Sequence, residues 1–384
     1  MRVSQAVFGV FHHFELAREL ERRGHLDTVY STWPWARLKR EGIARDKVKT
    51  FPWIHTPEYL LRRAGLFRHW FGDEMGYQNA LRFDDWTCSR IGEIDALIAI
   101  SGAALKTGRA LQQRGGIFIC DRGSSHQAYQ TEIVADEFRR WGLEAPPSDS
   151  RAVAREETIY EAADAITIAS SFSYRSFLDR GVPAEKLYTI PYGVRLESFA
   201  KSDDPAAGAF EVLFAGQVSL RKGVPYLLQG FAALEHPRKR LRFAGAVSAE
   251  MKGLLGRLPQ QQVEFLGSVP QAELARLMSQ SHLLVLPSVE DGFGMVLTQA
   301  LACGCPILAS TNTGGDDLIT DGLEGFIVPI RDPAALAARM QRLADEPALQ
   351  QRMSEAALAR VQHIGGWRQY GDQWEALLRK LIHR

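Results

Sequence analysis

Cysteine is scarce: there are four in 384 residues (Cys88, Cys120, Cys303 and Cys305), and no Cys-x-x-Cys pair. That excludes a disulfide framework, and Cys303-Gly-Cys305 has no second pair with which to build a zinc site. The four are read as small buried hydrophobes in a reducing compartment. An excess of either charge is also missing, with Lys+Arg 46 against Asp+Glu 45 and a net charge of +1. The chain as a whole is therefore no polyanion binder, no nucleic-acid partner is expected, and attraction to a charged ligand must be local. No apolar run reaches the ~18 residues that a membrane span needs. Met1-Arg2-Val3-Ser4 leads into a strand-like run rather than a charged and apolar leader. The expected location is cytoplasmic, with membrane contact at most peripheral. No Gly-x-Gly-x-x-Gly opens a helix after the first strand, which argues against a nicotinamide oxidoreductase. No Asp-x-Asp triplet stands in a metal-binding context, and neither a metal nor a cofactor is expected.

What is present is an ordinary globular composition, 46% hydrophobic and 24% charged, at a length suited to two or three domains. Short β-branched or aromatic runs alternate with amphipathic helical stretches. Val3–Val10, Ala96–Ile100, Gly116–Cys120 and Ala165–Ala169 read as strands of a first half. Glu211–Ala215, Arg240–Ala244, Val263–Leu266, Leu283–Leu286, Pro306–Ala309 and Gly325–Val328 read as strands of a second. Such alternation predicts parallel sheets covered by helices on both faces. Arg195–Gly208, with Ser202-Asp203-Asp204-Pro205, reads as a linker. The expected architecture is α/β: two Rossmann-like doubly wound domains, 1–194 and 195–366, facing a central cleft. A final helix, 367–384, is expected to pack back on the first domain.

Two segments of the second half carry candidate chemistry. After the strand Leu283–Leu286 come Glu290-Asp291-Gly292-Phe293-Gly294-Met295-Val296 and a helix bearing Gln299. A glycine turn feeding a helix start lets backbone N–H groups and the helix dipole meet an anion, while Glu290 and Asp291 suit sugar hydroxyls and Gln299 a ribose diol. A tight turn without ligand is the plainer alternative. After the strand Glu211–Ala215 comes Gly216 and then Arg221-Lys222; two cations there suit a diphosphate, Arg as a fork and Lys as a point charge. A solvated loop is the alternative there.

Together these segments resemble glycosyltransferase family 4, retaining enzymes of the GT-B fold. Tyr160–Ser170, Gly181-Val182-Pro183, Ile190-Pro191-Tyr192-Gly193-Val194, Gly314-Gly315 and Asp321–Gly325 add to the likeness, which is strongest from Tyr160 to Val328. The first half, with Asp121-Arg122-Gly123-Ser124-Ser125-His126, looks like a subgroup met in bacterial surface polysaccharide synthesis. The resemblance implies transfer, with retention, from a UDP- or GDP-sugar held by the second domain to a glycan or lipid-linked acceptor on the first. It makes His126, Arg221, Lys222, Glu290 and Asp291 catalytic candidates, and Gly9, Gly216, Val269, Gly292, Phe293, Gly294, Met295, Val296 and Gln299 donor contacts. No divalent metal is then required, because the departing phosphate can itself take the acceptor's proton. The sequence departs from the family where two glutamates are usual, at Asp291 and Gln299, and at Arg195, where an Asp is usual; the first glycine loop is reduced to Gly9. An epimerase or phosphorylase on the same fold, and an inactive sugar-nucleotide binder, remain alternatives.

Of the other residues, His126 is expected near the cleft, a loop histidine bonded to backbone being the alternative. His12 and His13 are weaker candidates for it. Glu15 and Glu137 are read as solvated helix faces. From Pro34 to Gly72 there are nine Lys/Arg against three acids, interleaved with aromatics. That combination suits a membrane interface or a lipid diphosphate as well as an ordinary basic surface.

Overall fold

The computed structural model describes residues 1–63 and 69–383. Part of the basic stretch, residues 64–68, lies outside them. Strands β1 (Val3–Val7), β2 (Leu26–Ser31), β3 (Val48–Thr50), β4 (Ala96–Ile100), β5 (Ile117–Arg122), β6 (Ala165–Ile168) and β7 (Leu187–Thr189) form one sheet, in the order β3-β2-β1-β4-β5-β6-β7. Strands β8 (Phe210–Ala215), β9 (Lys239–Ala244), β10 (Val263–Gly267), β11 (Leu283–Leu286), β12 (Ile307–Ser310) and β13 (Gly325–Val328) form a second, in the order β10-β9-β8-β11-β12-β13. Every pairing in both sheets is parallel. The central strands β1 and β11 are buried along their whole length, as parallel strands covered on both faces are. Residues 195–209 contain no helix or strand.

Both sheets reverse direction beside their first strand, at β1/β4 and at β8/β11. In open parallel sheets the crevice at such a reversal, beyond the carboxyl ends of the strands, is where ligands are held. The loops after β1 and β5 therefore face the loops after β8 and β11. The β8 and β11 loops touch although they are far apart in sequence: the N–H groups of Val289 and Glu290 donate to the Arg221 carbonyl at 2.9 and 3.3 Å.

The last helix, Trp367–Ile382, lies against the helix His12–Arg22 of the first sheet's layer. Its apolar side, with Tyr370, Trp374, Leu378 and Leu381, is buried. Arg23 ties the pair together, donating to the Arg368 carbonyl at 2.9 Å and pairing with Glu375 at 3.1 Å. Among aromatics of the basic stretch, Trp33 is packed edge-on against His55 and Tyr59 and stacked under Arg37, whereas Trp53 is 74% exposed. No described helix is long and apolar enough to cross a membrane.

Trp374 is fully buried, so Trp374→Ala is expected to cost about 3–5 kcal/mol and to move the urea unfolding midpoint accordingly. Asp372→Ala, on the 66% exposed partner of Arg23, is expected to shift it by less than about 1 kcal/mol.

Candidate active site

The second domain builds its part of the site from the β8 and β11 loops. Gly223 and Gly294 both adopt left-handed backbone, at φ 68° and 73°. A Cβ on Gly223 would lie 1.9 Å from the Pro287 carbonyl oxygen, and one on Gly294 would lie 2.7 Å from the Leu286 side chain. Glycine at both positions is what lets the two loops close on each other and the helix Met295–Ala302 begin where it does. Lys222 forms an ion pair with Asp291, and burial pushes its ammonium pKa down despite that partner.

Glu290 behaves differently from the expectation that it reaches a sugar. It is fully buried, and its carboxylate is filled from the first domain. Oε1 accepts from the hydroxyls of Ser124 (2.8 Å) and Ser125 (2.7 Å) and from the Ser125 N–H (3.3 Å). Oε2 accepts from Gln130 Nε2 at 2.8 Å and from Arg221 Nη1 at 3.0 Å. Burial alone would raise its pKa, but Arg221 and then the Gln130 and serine hydrogen bonds bring it down to about 2. Glu290 is thus a charged peg joining the domains. The Gly292 carbonyl continues the seam, accepting from Ser170 at 2.5 Å and Ser173 at 3.0 Å. A Cβ on Gly292 would meet the Gly123 carbonyl oxygen at 2.4 Å.

Between the domains lies a cavity of about 370 Å³, walled by Phe11, His12, Arg122 and Tyr192 from one side and by Asp291 and Gly294 from the other. Phe293 and Met295 also line it. Met295 is shared with a second cavity of about 140 Å³, which holds Gln299 beside Gln271, Glu15 and Arg195. Of the expected donor residues, Gly9, Gly216, Val269, Gly292 and Val296 line neither cavity, nor do Arg221, Lys222 and Glu290. The Gly216 carbonyl is instead met by Gly245 after β9, where a Cβ would lie 1.8 Å from that oxygen.

His126 is a correction. Its ring is 1% exposed and turned away from the cavity, held between Tyr160 and Phe177 at ring distances of 5.0 and 4.9 Å. The His126 backbone N–H donates to Ser176 Oγ at 2.9 Å, and neither ring nitrogen has a hydrogen-bond partner. Burial first, then Arg180 and Arg122, lower its pKa to about 4, so it stays neutral at pH 7. The residue occupies the N-cap position of the helix Gln127–Arg140, and the extended backbone there sends the side chain into the core. Glu137 is a second correction: rather than solvated it is fully buried, accepting from Trp141 Nε1 at 2.9 Å, Tyr226 Oη at 2.8 Å and Arg331 Nε at 2.7 Å. Two of those donors come from the second domain. Glu15 is likewise engaged, in ion pairs with Arg18 and Arg195.

The histidines that do face the cleft are His12 and His13, at the start of the first helix. Both direct Nε2 at one oxygen of Asp121, at 2.9 and 3.2 Å, while Thr167 donates to the other at 2.8 Å. Burial pushes the Asp121 carboxyl up, but the imidazoles outweigh it and hold it well below the usual carboxylate range. Burial and then His12 lower His13 to about 4. His12 Nε2 is hydrogen-bonded to that oxygen, whereas both ring nitrogens of His13 are buried without a hydrogen-bond partner. Sequence reasoning ranked these histidines low because nothing local marks Asp121 as their partner. Parallel pairing of β1, β4 and β5 is what brings it there.

Residues 197–360 match the family model described as Glycosyl transferases group 1. Among curated proteins, the chain is 34% identical over 246 residues to a D-inositol 3-phosphate glycosyltransferase of Streptomyces avermitilis, covering 58% of this chain and 53% of that protein. It is 29% identical over 263 residues to D-inositol 3-phosphate glycosyltransferase 1 of Catenulispora acidiphila, covering 62% of each. The chain thus spans less than two thirds of the length of these relatives. Among solved structures, a sucrose-phosphate synthase of Thermosynechococcus elongatus superposes with a TM-score of 0.73 at 20% identity, covering 100% of this chain and 99% of that one. HepE of Anabaena, solved with UDP, superposes at 0.70 with 16% identity, covering 99% of this chain and 100% of that one.

Glu290 titrates far below its ordinary value of 4.5 when folded, so its share of stability is complete above about pH 4.5 and is lost as pH falls towards 2. On the order of 3 kcal/mol is expected to go. In Glu290→Gln that acid dependence is expected to flatten and domain docking to loosen, read by urea unfolding against pH and by small-angle scattering. The two parallel-sheet domains and these superpositions establish the fold as GT-B.

Proposed function

We propose that the chain is a retaining glycosyltransferase that moves a sugar from a nucleoside diphosphate to a glycan or lipid-linked acceptor, in bacterial surface polysaccharide synthesis. The donor lies on the second domain, 195–366, and the acceptor approaches from the first, 1–194. The observation that carries this is the pairing of Arg221 with Glu290 and of Lys222 with Asp291 next to the left-handed glycine turn at the start of Met295–Ala302, where Asp291 and Gly294 line the interdomain cavity. Transfer needs the bond to a diphosphate broken, and fixed positive charge beside a helix start stabilises what accumulates on the leaving group. The match to glycosyl transferases group 1 across 197–360 covers this machinery. HepE, solved with UDP, favours a uridine donor.

The second cavity suits the nucleoside: Gln299 and Gln271 flank it, and a neutral amide there hydrogen-bonds a ribose diol without charge assistance. Trp53, Tyr59 and Leu60, exposed beside the basic stretch, are the side chains we assign to contact with the bilayer of a lipid-linked acceptor.

UDP, GDP, ADP and their sugars are offered first in thermal unfolding, with and without EDTA. One nucleotide is expected to raise the transition irrespective of EDTA, and at a hundredfold excess over Kd the gain is about 2.7 kcal/mol. No shift with any of them removes the donor site. NMR of the product then reads the anomeric configuration, retention being expected. Lys222→Ala is expected to lose at least about tenfold in nucleotide affinity and most transfer, with the fold kept by circular dichroism. Gln299→Glu is expected to hold or improve donor affinity, and a large loss would mean that position does not meet the ribose.

A further inference from the structure

We propose that Phe11 is the platform on which the acceptor's sugar ring stacks, so that the enzyme lengthens a chain whose preceding sugar is already in place. This rests on the transferase reading and deepens it: the acceptor hydroxyl belongs to an uncharged sugar rather than to a phosphate-bearing head group.

The first observation is where this aromatic stands. Phe11 is 69% exposed, yet it lines the interdomain cavity across from Asp291 and Gly294. None of the other large hydrophobics exposed among the described residues lines that cavity. A large apolar side chain left open at the wall of a ligand cavity is a contact surface. The second observation is how the ring is held. A Cβ on Gly9 would lie 2.5 Å from Phe11 Cε2 and 2.7 Å from Cδ2, so one side of the ring rests on the glycine backbone while the rest stays open. The glycine expected at the donor makes room for this ring instead. Ile100, at the end of β4, extends the apolar wall. A pyranose carries C–H groups on its faces and hydroxyls around its rim. The negative face of an aromatic ring attracts those C–H groups and leaves the hydroxyls free to react.

The third observation concerns charge. Among the described residues, Arg122 is the only Lys or Arg that lines the cavity, and its donors are taken. Nε donates to the Ser125 carbonyl at 3.0 Å, Nη2 to Gln127 and Gln130 at 2.7 and 2.9 Å, and Nη1 meets Glu156 at 3.4 Å. His12 and His13 are turned to Asp121. A phosphate needs a free guanidinium fork or ammonium, and the first-domain wall offers neither, while Asp291 opposite adds negative charge. A neutral sugar meets no such penalty. In the step itself, its hydroxyl oxygen forms the new bond to the anomeric carbon, the carbon's bond to diphosphate breaks, and the departing phosphate takes the proton. An earlier glycosyl transfer must therefore supply the acceptor, and the product is that chain one sugar longer.

The test uses full-length wild type, Phe11→Ala and Phe11→Tyr, with UDP or GDP bound, whichever the protein takes. Methyl glycosides of glucose, galactose and mannose are the sugar probes; geranyl phosphate and D-inositol 3-phosphate are the charged ones. Saturation-transfer NMR is expected to show wild-type contact with the ring C–H groups of at least one methyl glycoside. Its Kd is expected to rise at least about tenfold in Phe11→Ala and to stay within about threefold in Phe11→Tyr. Nucleotide affinity by calorimetry is expected to hold within about threefold in both variants. Equal glycoside affinity in wild type and Phe11→Ala overturns the assignment, as does contact with none of the methyl glycosides or tighter binding of either phosphate. A loss of nucleotide affinity in Phe11→Ala as large as the loss of glycoside affinity also overturns it, by making Phe11 a donor contact. A wild type that binds neither nucleotide overturns the transferase reading itself, and that control separates the two failures.

Discussion

A buried carboxylate holds this molecule's working geometry together. Glu290 belongs to the second domain, yet four of its five hydrogen bonds come from Ser124, Ser125 and Gln130 of the first. A charge removed from water at an interface is tolerable only when its acceptor sites are filled, and Arg221 supplies the opposite charge from Glu290's own domain. Withdrawing the first domain would strip most of that solvation at once. The cavity between the domains therefore exists only while the peg is seated, because each of its two walls belongs to a different domain.

A second carboxylate repeats the logic in mirror image. Glu137, from the first domain, is filled by Tyr226 and Arg331 of the second. Arg331 reaches it from left-handed backbone at φ 62°, a conformation that a side-chain-bearing residue adopts at some cost and that the buried ion pair offsets. Each domain thus inserts one charged group into a polar socket on the other. Such a seam differs from an apolar one: its strength depends on geometry and protonation, and water can replace every bond when it opens. That suits an interface which must release and readmit ligands.

The fold was legible because parallel strands buried on both faces write themselves as short apolar runs. Ala96–Ile100, Leu283–Leu286, Gly325–Val328 and the last helix from Trp367 fall where the pattern puts them. β2, β3 and β7 were not read. β3 and β7 are only three residues each, and β2 follows Gly24 too closely to register as a separate run. Within the site, glycines and cations were legible because their roles are local: a turn, a helix start, two adjacent charges. Histidines and carboxylates were not. His126 and His12 both follow a strand of the first sheet, and only the side-chain direction, inward at an N-cap and outward beside Asp121, separates them. Glu290 looked like a sugar-binding acid and Glu137 like a solvated one because their partners lie 160 and 194 residues away in the chain.

The same neutralisation that steadies the seam also shapes the resting site. Arg221 is already committed to Glu290, and Lys222 to Asp291, so neither of these two cations is left unpaired. Burial lowers the Lys222 pKa, and a nearby second positive charge lowers it further; Asp291 is what keeps the ammonium charged. Under the proposed transferase reading, a diphosphate brings more negative charge than Asp291 carries and would exchange with it at Lys222, freeing Asp291 at the cavity that it lines. Glu290, clamped by five hydrogen bonds, stays behind to keep the domains in register.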